Sequence, residues 1–213
     1  MSSPSPAPAG FPGLPPYAEL HCRTNFSFQV GASHAEELVA RAHALGYTAL
    51  AITDECSVAG LVRAHAEAKK LGLKLLAGSE FVLDGGDGRF RLIALAHNLK
   101  GWGALCEFIT AGRRAAPKGE YRLGWQDVTA ARLPDCELIL APDRLTRSAI
   151  TLEALCDRLT MGRRQFGSNF WLAAELLHGL DDDLWLTQLE EASVMTGVPL
   201  VAAGDVVMHV RSR

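Results

Sequence analysis

Apolar and polar positions along this chain follow two rhythms, and from Tyr17 onward the two take turns. Short, nearly continuous apolar runs read as strands: AELHC (18–22), YTALAIT (47–53), LKLLAGSEF (73–81), RFRLIALAH (89–97), CELILAP (136–142), NFWLAAELL (169–177) and PLVAAGD (199–205). Between them lie segments with apolar residues at helical spacing: 33–46, 57–72, 101–114, 151–162 and 182–197, with a shorter helical piece near 125–133. Ser33 and Glu36 have the S-x-x-E spacing of a capping box ahead of the first helix, and Gly46 and Gly72 stand where helices end. The DGGDG stretch (84–88) reads as a tight turn, so the third and fourth strands are expected to be antiparallel or nearly so.

Near-continuous apolar strands joined by helical crossovers are buried on both faces, which predicts an α/β fold with a largely parallel sheet. A doubly wound open sheet and a closed barrel fit this string equally on pattern alone. The strand endings separate them: His21, Asp54-Glu55, Glu80, His97, Asp143, His178 and Asp205 follow the seven runs in turn. In a barrel the carboxyl ends converge on one mouth, whereas in an open sheet few of them could meet. Seven polar endings in register therefore favour a barrel.

Composition narrows this picture further. With 213 residues, 48% of them hydrophobic, the chain can form one good-sized core, so a single domain over 17–213 is expected. The opening stretch, residues 1–16, is rich in Pro, Ser and Ala and reads as a flexible leader rather than a secretion signal. A net charge of −3 argues against a freestanding nucleic-acid binder. Local basic clusters at Arg113, Arg114, Lys118 and Arg122, and at Arg163 and Arg164, read as solvated surface. Five cysteines without C-x-x-C spacing suit reduced thiols in a cytoplasmic protein, and no apolar run is long enough to span a membrane. Trp102, Trp125, Trp171 and Trp185 read as packing anchors, because no basic stripe interleaves with them.

The run YAELHCRTNFSFQVGASHAEELVARAHALGYTALAITDECSVAGL, with GSEF, RLIALAHNLKGWGALCEFIT and VAAGDVVMHVRSR, resembles the PHP (polymerase and histidinol phosphatase) domain. The version it resembles most is the one that opens bacterial error-prone, polymerase III α-like DNA polymerases. The likeness runs from about Tyr17 to the last residue. It implies a distorted seven-stranded β/α (TIM-like) barrel. In active members it also implies a cluster of divalent metals that hydrolyses phosphoesters. Carried over residue by residue, His21, Asp54, Glu80 and Asp205 match ligand positions. Arg23, Val30, Glu55 and Val207 stand where the family has other ligands. His97, His178 and His209, with Asp143, are nearby candidates for extra ligands.

Valine donates nothing to a metal, and arginine carries a permanent positive charge that repels one. Hydrolysis by a metal cluster needs an activated water and a clamp on both reacting oxygens, so a working cluster is not expected. Carboxylates left without metals would repel one another in a partly buried site. A guanidinium at Arg23, with forked donors matched to carboxylates, is expected to pair with Asp54, Glu55, Glu80 or Asp205 and so stand in for the metal.

The resemblance implies a polymerase of damage-induced mutagenesis and translesion synthesis, with this segment as a scaffold that has no catalytic residues or cofactor of its own. Mg2+ is implied for the parent enzyme. Implied partners are the remainder of the polymerase chain, primer-template DNA, the sliding clamp and mutagenesis accessory proteins, with no membrane. The competing reading is a metal-dependent phosphoesterase or 3′-5′ proofreading exonuclease with a reduced metal site. A sugar-processing barrel unrelated to DNA rests on fold analogy alone.

Overall fold

A computed structural model describes residues 15–83, 90–143 and 150–212. Of the leader expected at 1–16 only Pro15 and Pro16 are included, and the DGGDG turn (84–88) lies outside the described residues. The chain divides into two compact units, residues 1–79 with 204–213, and residues 80–203.

In the first unit, strands β1 (Ala18–Glu19), β2 (Ala49–Ile52) and β3 (Lys74–Leu83) pair in sequence order and in parallel, β3 continuing into the second unit from Glu80. All four residues of β2 are buried, as expected for a strand covered on both faces. Helices α1 (Ala35–Ala44) and α2 (Leu61–Leu71) pack together, burying Leu38, Val39 and Ala42 of one and Leu61, Ala64 and Ala68 of the other. Gly72 ends α2 at φ 72°, a left-handed conformation that glycine adopts without steric cost. The cap of α1 is one residue later than the spacing suggested. The backbone N–H of His34 donates to Glu37 Oε2 at 2.8 Å, while Ser33 is turned inward and fully buried.

In the second unit β4 (Phe90–Ala96) pairs antiparallel with β5 (Cys136–Pro142), which pairs in parallel with β6 (Phe170–Ala174), and β6 with β7 (Leu200–Ala202). The β4–β5 connection holds two helices, α3 (Leu99–Arg114) and α4 (Trp125–Ala131). It leaves and re-enters at the same end of the pair, where His97 N–H donates to the Asp135 carbonyl at 2.9 Å. Helices α5 (Leu152–Phe166) and α6 (Asp182–Thr196) precede β6 and β7. The core gathers Ile93, Ile139, Leu140, Leu155 and Leu172, with Phe81 edge-on to Phe108 at 4.8 Å.

The antiparallel β4–β5 pair corrects the expectation of strand endings in register. Ala96 is the register partner of Cys136, and Phe90 that of Pro142. His97, just after β4, therefore lies at the opposite end of this pair from Asp143, just after β5. Apolar runs announce strands but carry no information about direction.

Candidate functional site

The first unit concentrates polar groups where β1 leaves the sheet. Residues 21–23 form a parallel bridge with the segment after β7. Cys22 pairs with Val206, Val206 N–H donates to the His21 carbonyl and Arg23 N–H to the Val206 carbonyl, both at 2.9 Å. The bridge sets Asp205, at φ 47°, beside two side chains of the first segment. Arg23 Nη2 donates to Asp205 Oδ1, and His21 Nδ1 lies 3.8 Å from the same oxygen. Arg23 and His21 are 3% and 0% exposed, and Asp205 8%. A buried guanidinium–carboxylate hydrogen bond is among the stronger polar contacts available to a protein.

Asp54 takes other partners. Its Oδ1 accepts from Thr24 N–H and from Ser27 Oγ, each at 2.8 Å, and Thr24 Oγ1 reaches both oxygens at 3.0 and 2.9 Å. Gly60 packs so closely here that a Cβ at that position would sit 2.5 Å from Asp54 Oδ2. Burial pushes the Asp54 carboxyl above its ordinary range, opposed by these hydrogen bonds. Glu19 is a second buried carboxyl. Its Oε1 accepts from the backbone N–H groups of His21 and Gly204, each at 2.9 Å, and its Oε2 from Tyr17 Oη at 2.9 Å. Burial raises this carboxyl too, against the pull of the same donors.

In the second unit Arg91 stands between two acidic side chains. Its Nη1 is 3.7 Å from Glu80 Oε2 and its Nη2 3.6 Å from Asp143 Oδ2. The carboxylate side chains are 1% and 3% exposed, that of Arg91 15%. Strand register explains the meeting, since Arg91 is opposite Ala141, two residues before Asp143.

The other expected positions lie elsewhere. Val30 is 38% exposed in the loop after Ser27, and the Val207 carbonyl accepts from Ala32 N–H at 2.8 Å. Glu55 N–H donates to Ser27 Oγ at 3.0 Å. His209 Nδ1 lies 2.7 Å from Ser33 Oγ, which also accepts the His209 N–H at 2.9 Å. His97 Nε2 is 2.9 Å from Glu137, and His178 is exposed in the loop after β6 at φ 60°. As extra ligands these three histidines join no common donor set.

Sequence reading missed Glu19, Thr24, Ser27 and Arg91. Arg91 alone left a signal, as the one charged residue inside the strand FRLIALA.

A divalent metal cluster does not fit these donors. Asp205 is engaged by a permanent cation, Asp54 is held by hydroxyl and amide donors, and Glu80 and Asp143 face Arg91. Burial lifts the Cys22 thiol well above its ordinary range, which withholds the thiolate a metal needs. Among the described residues, no three His, Cys, Asp or Glu side chains are grouped to hold a metal ion.

Parallel strands alternating with helices, and acidic side chains at their ends, define an α/β protein of the kind that houses hydrolases. Two solved structures share the fold. One is a candidate metal-dependent phosphoesterase from Bifidobacterium adolescentis, with a TM-score of 0.66, 14% identity, and 93% of this chain and 89% of that one covered. The other is an amidohydrolase from Chromobacterium violaceum, with a TM-score of 0.68, 16% identity, and 90% and 87% covered. The PHP domain model matches residues 19–155, so the chain belongs to the PHP domain family, and its fold is that family's distorted seven-stranded β/α barrel.

Curated relatives named error-prone DNA polymerase include one from Ralstonia nicotianae, 47% identical over 225 residues, covering 100% of this chain and 20% of that protein. Another, from Aromatoleum aromaticum, is 50% identical over 200 residues, covering 92% and 18%. The chain thus spans about a fifth of the length of these relatives. Among the described residues no helix is long and apolar enough to cross a membrane.

Proposed function

We propose that this chain is the N-terminal PHP domain of an error-prone DNA polymerase, and that arginine side chains hold together what metals hold in hydrolytic relatives. The observation that carries the reading is the buried Arg23–Asp205 hydrogen bond at two ligand positions of the family. A guanidinium at that place neutralises the carboxylate without offering a water to activate, so the domain works as a scaffold for the polymerase. The whole protein then carries out template-directed nucleotidyl transfer in the cytoplasm, past damaged template positions and with Mg2+ in its polymerase site. Its partners are primer-template DNA, a sliding clamp and accessory proteins of induced mutagenesis.

Two measurements test this. Elemental analysis of the purified protein is expected to find no stoichiometric zinc, manganese or iron, and the protein is expected to release neither nucleotide from a primer 3′ end nor phosphate from a simple ester. Stoichiometric metal together with chelator-sensitive hydrolysis would establish the reduced-site phosphoesterase or proofreading exonuclease instead. Primer extension across an abasic template position by the whole protein tests the polymerase assignment separately.

A further inference from the structure

Helix α6 is apolar on two sides. Trp185, Leu189 and Ala192 are buried, yet Leu184, Val194 and Met195 are 77%, 84% and 64% exposed. At about 100° per residue, Leu184 and Met195 lie within ~20° of one another, with Val194 beside them and the buried stripe about a third of a turn away. Cys156 of α5 brings its sulfur to 4.0 Å from that of Met195, so the exposed stripe continues onto α5, where Met161 is 48% exposed. Leu180, just ahead of α6, is fully exposed. A surface helix normally carries one apolar stripe, and a second, continuous with a neighbouring helix, marks a contact surface.

Two observations identify what covers it. The matched relatives are about five times as long as this chain, so most of such a polypeptide lies outside these residues and has to pack somewhere. The exposed acidic residues Asp183, Glu190 and Glu191 border the apolar positions. That border repels nucleic-acid phosphates and suits an apolar protein surface edged with Lys and Arg. We propose that the α5–α6 face is the docking surface for a later part of the same polypeptide, beyond residue 213, which presents such a surface.

The proposal rests on the reading of this chain as the N-terminal part of a polymerase, and the test separates the two. In the whole polypeptide, Leu184→Cys and Val194→Cys are labelled with a maleimide under native conditions. Peptide mass spectrometry follows each site against Lys69→Cys, an exposed position on α2. Labelling at 184 and 194 is expected to run about tenfold slower than at 69, and to equal it in urea. A cysteine-to-amine cross-linker at 194 is expected to reach lysines beyond residue 213 of the same chain.

Labelling at 184 and 194 as fast as at 69 overturns the surface proposal and leaves the polymerase reading intact. Cross-links to a second, isotopically distinct copy, or to a different protein, overturn it as well. A native polypeptide with the mass of these 213 residues alone would remove the polymerase reading and the proposal together.

Discussion

Each of the two units buries carboxylates beside an arginine, but the geometries differ. In the first, Arg23 makes a direct hydrogen bond to Asp205, and both side chains are almost fully enclosed. In the second, Arg91 stands 3.7 and 3.6 Å from Glu80 and Asp143, beyond hydrogen-bond length to either. Coulomb attraction falls slowly with distance, so one guanidinium at that range still offsets two negative charges, although the directional part of the interaction is weak. The tight pair is built by a backbone bridge that locks residues 21–23 against 206, and the looser triad by the register of two antiparallel strands. Neutralising charge and fixing geometry are thus separable tasks, and only the first unit does both with one side chain.

The largest expected effect comes from removing the tight pair. Arg23→Ala leaves Asp205 enclosed and without its guanidinium, and should cost about 3–5 kcal/mol. Thermal melting should fall by roughly 10 °C or more, while an unchanged melting temperature would show that the pair is not structural. Arg23→Lys should recover part of the loss, because the charge returns without the fork.

Arg91→Ala should cost less, ~2 kcal/mol, since no direct hydrogen bond of the guanidinium to either carboxylate is broken, although two buried carboxylates are left facing each other. A loss as large as that of Arg23→Ala would remove the distinction drawn between the centres. Millimolar Mn2+ should raise the melting temperature of Arg91→Ala by a few degrees and leave the native protein unmoved, because only the variant presents two uncompensated carboxylates.

Protonation sharpens the contrast from the side of the first unit. The carboxyls of Glu19 and Asp54 are raised by burial, so the native state binds protons at higher pH than the unfolded chain does. Stability contributed by these two groups therefore grows as pH falls from about 7 into the ordinary carboxylate range, and declines as pH rises through their raised values. Glu19→Gln should flatten that slope in melting curves taken at successive pH values, and an unchanged slope would remove Glu19 as its source. The smallest effect belongs to the helix cap. Glu37→Ala should cost about 0.5–1 kcal/mol, and Glu36→Ala close to nothing, since the 3.9 Å contact of Glu36 with Arg63 is exposed.

How much was readable in advance differs between the centres. The Arg23 anomaly stands in a motif, so the sequence named it and offered four acidic partners, Asp54, Glu55, Glu80 and Asp205. Choosing Asp205 needed the Cys22–Val206 bridge, which joins segments 184 residues apart. Asp54 looked like an equal candidate until Thr24 and Ser27 were seen to claim its oxygens, and short hydroxyl residues in a loop give no such notice. Arg91 lies in no motif, and its role follows entirely from an antiparallel pairing that hydrophobic period cannot reveal.

Local physics is written along the chain. The alternation of apolar runs with helical periodicity, the position of β5 from Cys136 to Pro142, the stop at Gly72 and the misfit of arginine and valine among metal ligands all follow from neighbouring residues. Strand direction, the partner of each buried charge and the outward apolar stripe of α6 depend on which distant segments come within a few ångströms. Those outcomes come from tertiary packing, because electrostatic and dispersion forces act on separation in space and take no account of separation along the chain.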